Sequence, residues 1–225
     1  MRKYVIAAAA LAVAALPALA AGKNWLTTVV ATEAGHRLGN PEAKTRLVEF
    51  VSYTCPHCGE FFRQANAPIK VALVQPGKVS VEIRHFIRDP VDLAAVVLAN
   101  CGDTSKFLGN HEMFFSRQDE WLGKAQAADR AQQQRWFTGS TQQRLHAITS
   151  DLGFYEMMEG RGYTRAKVDQ CLNDQAWIDD MVEKDQFART FYKVNSTPSF
   201  VINGKLAAGV HEWSELEKLL AAATK

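Results

Sequence analysis

Cys55 and Cys58 lie three residues apart, with Pro56 and His57 between them, in the stretch SYTCPHCGEFF from 52 to 62. Three chemistries fit that spacing: half of a zinc site, a structural staple, or a redox couple. Thiols at i and i+3 that open a helix share one side of its first turn, where four backbone N–H groups lack helical acceptors and the dipole is positive. A thiolate is stabilised there. Pro56 suits the first turn because it has no N–H to leave unpaired, and a protonated His57 adds a second positive neighbour. Together these bring a cysteine pKa from about 8.5 into the range of about 3.5–7.5. Each tenfold gain in thiolate is worth about 1.4 kcal/mol, or about 30 mV for a two-electron couple. A pair shifted by two or three such steps prefers to be reduced and gives its disulfide away. Cys55 is expected to be the more exposed thiol and to form the mixed disulfide; Cys58, followed by Phe61 and Phe62, is expected to resolve it. Zinc needs two further ligands, and Cys101 and Cys171 are single residues about 45 and 115 positions away. His85, His111, His146 and His211 have no ligand spacing and read as polar or capping residues.

The elements that must hold such a pair are legible on both sides of it. Arg46–Tyr53 is a β-rich run that ends at the CxxC, and apolar residues at 58, 61, 62, 65, 69, 72 and 73 predict a helix to Val74, with a kink at Pro68. Val79–Ile87 reads as a second core strand after the Gln75-Pro76-Gly77 turn. From Pro90 to Gln186 successive segments show three-to-four spacing, which predicts a helical block of nearly 100 residues. Within it, Met113, Phe114, Phe115 and Trp121 read as core. Strands return at 199–204 and 205–210, joined by Asn203-Gly204, the strongest short hairpin signal, and HEWSELEKLLAAA closes as an amphipathic helix. WLTTVV at 25–30 is expected to pair at a sheet edge. Neither three-element piece could bury a face alone, so the two must share one sheet. The fold class is therefore α/β: a discontinuous domain over 21–89 and 187–225, interrupted by a helical insertion over 90–186.

Arg2 and Lys3 precede an Ala/Leu/Val run that ends in Ala18-Leu19-Ala20, an A-x-A pattern, so residues 1–20 read as a secretory signal. The apolar run is about 16 residues, short of the roughly 20 of a spanning helix. Cleavage would take the formal charge from +2 (26 basic, 24 acidic) to zero (24 and 24). A neutral chain without a basic run has no footprint for nucleic-acid backbones. Export also sends all four cysteines to an oxidising compartment, where disulfides form.

Strand, CPHC, helix, a helical insertion and NSTPSF ahead of the last hairpin resemble the thioredoxin fold, specifically the DsbA-like periplasmic thiol:disulfide oxidoreductases, over about residues 25–223. The resemblance implies a periplasmic monomer that needs no cofactor. It implies an oxidase that gives disulfides to reduced exported proteins and is reoxidised by a DsbB-like membrane quinone reductase. It further implies that Thr197-Pro198 is a cis peptide beside the CxxC whose Thr197 backbone pairs with the client chain. Thr in place of the more familiar Val resembles the isomerase relatives. Glu49, six residues before Cys55, matches the buried acid that moves the proton of the second cysteine. Cys101 and Cys171 match the second, structural bridge that some of these proteins carry; two buried free thiols are the alternative. The rival activity is an isomerase or reductase kept reduced by a membrane electron donor. About 25 residues between the signal and Arg46 leave no room for the dimerisation domain of isomerase relatives.

Overall fold

The computed structural model describes residues 23–225, so the expected signal at 1–20 lies outside the described residues. Six strands form one mixed sheet in the order β1-β2-β4-β3-β5-β6. At its centre β3 (Thr45–Val51) runs parallel to β4 (Val79–His85) and antiparallel to β5 (Ser199–Ile202). An apolar run with little polar alternation is what a strand covered on both faces requires. Leu47 and Val51 face the main core with Phe61 and Ala65, while Val48 and Phe50 meet Ala188, Val194 and Val201 on the opposite face. β2 (Gly35–Leu38) and β1 (Val29–Ala31) extend the sheet beyond β4, and β6 (Lys205–Leu206) ends it beyond β5.

Three strand expectations change. Trp25–Thr27 forms a 3-10 turn, so only the end of WLTTVV is a strand, and β2 was not foreseen because GHRL has no β-branched residue to signal it. The final hairpin is short: Asn203 (φ 49°) and Gly204 (φ 82°) make the tight turn, but pairing stops at Leu206 rather than continuing to Val210.

α1 (Pro56–Pro68) follows β3 directly. Pro68 has no N–H to return to the preceding turn, and residues Ile69–Val74 continue as a π-helical stretch that closes with Gln75 N–H on Lys70 O at 2.8 Å. Between β4 and β5 lie eight helices: α2 (Pro90–Ala99), α3 (Thr104–Ser116), α4 (Gln118–Ala127), α5 (Arg130–Phe137), α6 (Thr141–Asp151), α7 (Phe154–Gly160), α8 (Arg165–Leu172) and α9 (Gln175–Tyr192). The expected boundary at Gln186 falls inside α9, which starts at the Asp174 cap and stops at left-handed Lys193. Its last turns reach back under the sheet, where Ala188 packs on Val48 and Phe50. α10 (Trp213–Ala223) buries Leu216 and Leu220 in the main core. One continuous cluster runs from the sheet through Cys55, Cys58 and Phe61 to Phe107, Phe114, Phe115 and Trp121. Those last aromatics are core, as their spacing suggests, and Met113 packs at the cluster's margin. No helix among the described residues is long and apolar enough to cross a membrane.

Candidate active site

Cys55 is the last residue before α1, with extended backbone, and its carbonyl accepts the N–H groups of Cys58 at 3.1 Å and Gly59 at 3.3 Å. Pro56 occupies the first turn and His57 projects from it, exposed. Both thiols are free. Cys55 is 4% exposed and Cys58 1%, so the expected contrast between them is slight. What covers Cys55 comes from the far end of the chain. Ser199 pairs with Phe50, and that register sets the preceding Thr197-Pro198 peptide, which is cis, against the β3–α1 junction. The Cys55 thiol donates to the Thr197 carbonyl at 3.3 Å.

The two sulfurs titrate far apart. A hydrogen bond from the Cys58 thiol is the largest influence that lowers Cys55 to about 5, and burial opposes it. The Thr197 side chain and the backbone N–H groups of Cys58 and His57 add to the lowering. Sequence reasoning put the helix-end amides and a His57 charge first; in the structure the partner thiol and the Thr197 side chain come before the amides. Burial pushes Cys58 well above its usual value, reinforced by the bond to Cys55 and by the Cys55 charge.

Glu49 stands on β3 on the side of α1. It lines a small cavity of about 40 Å³ with Phe61, Ile69, Ile83, Lys70 and His111. Although the residue keeps partial exposure, burial raises its carboxyl to about 7.

The insertion grips the segment that leads into the CxxC. Asp92, wholly buried on α2, accepts from the Ser52 hydroxyl and from the N–H groups of Tyr53 (2.8 Å) and Arg88 (3.1 Å). Burial raises its pKa to about 7 despite these donors. Asp89, the α2 cap, accepts from the Thr54 hydroxyl at 2.8 Å. From α4 the buried Gln118 amide donates to the carbonyls of Tyr53 (2.7 Å) and Cys55 (2.9 Å). Its Oε1 lies 1.8 Å from where a side chain on Gly59 would begin, so glycine is what allows α4 to close on α1. Sequence reasoning named none of these three. Asp92 left a trace, as an acid inside the apolar run PVDLAAVVLA; Gln118 left none, because its partners are backbone groups 63 and 65 positions away.

A thioredoxin family model matches residues 31–222. The chain belongs to the thioredoxin family. Among solved structures, protein-disulfide isomerase from Novosphingobium aromaticivorans is 42% identical and superposes with a TM-score of 0.84, over 87% of this chain and 100% of that one. Wolbachia pipientis alpha-DsbA1 shares the fold at 20% identity and a TM-score of 0.66, over 84% of this chain and 89% of that one. A Rickettsia bellii protein, provisionally named a protein-disulfide oxidoreductase, is 27% identical over 183 residues, 81% of this chain and 62% of the relative. The chain spans between 52% and 62% of the length of the curated relatives it matches.

On this thioredoxin-family frame the histidines divide. His36, which sequence reasoning passed over, stacks on Phe107 at 3.9 Å; His85 Nε2 accepts from the Asn100 amide at 3.0 Å; His111 bonds the Tyr53 hydroxyl at 3.0 Å. Burial lowers His36 to about 4, His85 to about 3 and His111 well below the usual range. His146 links Tyr155 and Asn173 at the surface. Among the described residues no group of three or more His, Cys, Asp or Glu could hold a metal. Cys101 and Cys171 are bonded to each other, with Cα atoms 5.7 Å apart.

Proposed function

We propose that the chain is an exported thiol:disulfide oxidase whose active pair is Cys55 and Cys58. The observation that carries this reading is the split of the pair, with Cys55 ionising at about 5 while Cys58 is held protonated. In the disulfide form a client thiolate attacks Cys55 Sγ. The Cys55–Cys58 bond breaks, its electron pair leaves on Cys58, and that sulfur takes up a proton. A second client thiolate then attacks the client sulfur of the mixed disulfide, and Cys55 leaves as a stable thiolate. Two electrons pass from the client to the pair. Glu49 is proposed to bring the proton that Cys58 needs: its raised pKa suits transfer near neutrality, and the cavity beside it has room for a water. Pro56 and His57 shape the turn, and Thr197 and Pro198 form the wall against which the client chain pairs. The redox cycle closes through a quinone-linked membrane partner of DsbB type, and neither metal nor organic cofactor takes part. The signal pattern at 1–20 supports export to the periplasm, and a monomer fits this role. The insertion, residues 90–186 in this reading, fixes the CxxC approach through Asp92 and Gln118, and the Cys101–Cys171 bridge is its structural staple.

A second reading has specific support. The 42% identical relative bears the name isomerase, and Thr197 precedes the proline. Such an enzyme would be kept reduced by a membrane electron donor. Equilibration of the pair with glutathione separates the two: a potential of about −120 to −180 mV fits the oxidase, and one near about −270 mV sinks it. Cys55→Ser should abolish oxidative refolding of a reduced client; full retention would instead make the chain a binding module.

A further inference from the structure

His211 lies between β6 and α10, one residue before the helix cap at Glu212. Its Nδ1 is 2.7 Å from the carbonyl oxygen of Pro198, 13 positions earlier. A carbonyl oxygen can only accept, so Nδ1 carries the proton and donates it. The ring is otherwise exposed, and with His57, Phe61, Ser196 and Thr197 it lines a groove of about 450 Å³. Thr197 meets the reacting sulfur through its carbonyl, and its side chain helps lower the Cys55 pKa. The 194–198 segment belongs to no helix or strand, and besides His211 its side-chain fastenings are the Cys55 thiol on the Thr197 carbonyl at 3.3 Å and the Ser199 hydroxyl on the Ser196 carbonyl at 2.8 Å. One bond from His211 therefore stands on the residue that directly follows Thr197, which faces the Cys55 sulfur.

We infer that His211 is a positioning residue for thiol exchange: its ring N–H pins the Pro198 carbonyl and so holds Thr197 against Cys55 Sγ. The inference rests on Cys55 being the exchanging thiol, as proposed above. Because the ring is exposed, replacing it leaves no hole in the core.

The test compares the full chain with H211A and H211N. In asparagine, Nδ2 hangs from Cγ as Nδ1 does in histidine and can offer the same donor. Cys55 ionisation is followed by thiolate ultraviolet absorbance, and exchange by the rate at which the disulfide form oxidises a reduced cysteine peptide. H211A should raise the Cys55 pKa and slow exchange about two- to tenfold, the range that about 0.5–1.5 kcal/mol for one hydrogen bond allows. H211N should recover most of both. The inference is overturned if H211A ionises and exchanges like the parent. It also fails if H211N is as impaired as H211A, or if H211A lowers the unfolding midpoint without moving the Cys55 pKa. A parent potential near that of thioredoxin would defeat the oxidase reading and leave this comparison intact, since ionisation is measured without a client.

Discussion

The asymmetry between Cys55 and Cys58 has a consequence that can be read from pH alone. With Cys55 ionised above about 5 and Cys58 protonated far beyond neutrality, reducing the disulfide takes up one proton across that range rather than two. The potential should fall by about 30 mV per pH unit above pH 5 and by about 59 mV per unit below it. At pH 7 the Cys55 thiol is about a hundredfold ionised, which makes the couple about 60 mV more oxidising than one with an unperturbed thiol. Glutathione equilibration at a series of pH values checks this; a slope of about 59 mV through neutrality would mean that the Cys55 thiol is not lowered. The CxxC and its place at the start of a helix were legible because they are local. How strongly Thr197 acts on Cys55 was not, since that residue arrives from 142 positions away.

Among the elements, α4 closes on α1 at Gly59, where the Gln118 amide fills the space a side chain would take. Adding one methyl group in Gly59→Ala would push Gln118 off the carbonyls of Tyr53 and Cys55. Leaving those buried groups unpaired should cost about 2–3 kcal/mol in chemical denaturation. Combining Gly59→Ala with Gln118→Ala should recover part of that loss, because the clash disappears with the side chain. The α2–α3 connection and α8 are joined by Cys101–Cys171, separated by 70 residues. Replacing both cysteines by alanine should destabilise the fold by about 4 kcal/mol through loop closure. Cys55 ionisation should stay where it is; if it moves, the bridge tunes the site as well as the fold. The helical character of the block was readable from its periodicity. Its grip on residues 52–55 was not, because Asp92 and Gln118 look like ordinary polar positions until α2 and α4 dock on the sheet.

For the whole molecule, two buried sets of titratable groups oppose each other, and the disulfide form shows this best because Cys55 does not titrate there. His36, His85 and His111 have native pKa values below the unfolded value of about 6.5. The unfolded chain binds those protons first, so their contribution is lost as pH falls from about 6.5 toward 4 and 3. Glu49, Asp92 and Asp185 have native values raised to about 7, 7 and 6. The native state holds those protons longer, so stability declines as pH rises from about 4 toward 7. Between about pH 4.5 and 6 the sets nearly cancel; below about 4 only His85 and His111 still act. Urea midpoints should therefore be level across the first interval and drop below it. His36→Phe keeps the stack on Phe107 but removes one opposing group, so its midpoint should fall from pH 4 to 6, by up to about 1.4 kcal/mol per pH unit. A variant profile that runs parallel to the parent's would show that burial does not lower His36.

The sequence by itself determined the chemistry-bearing turn, the strand–helix order around it and the presence of a helical interruption, because each is written in spacing over a few residues. Tertiary structure alone decided what surrounds the sulfur. Gln118, Asp92 and His211 acquire their places from distances across the fold, and hydrogen bonds between segments far apart in the chain leave no local pattern to read.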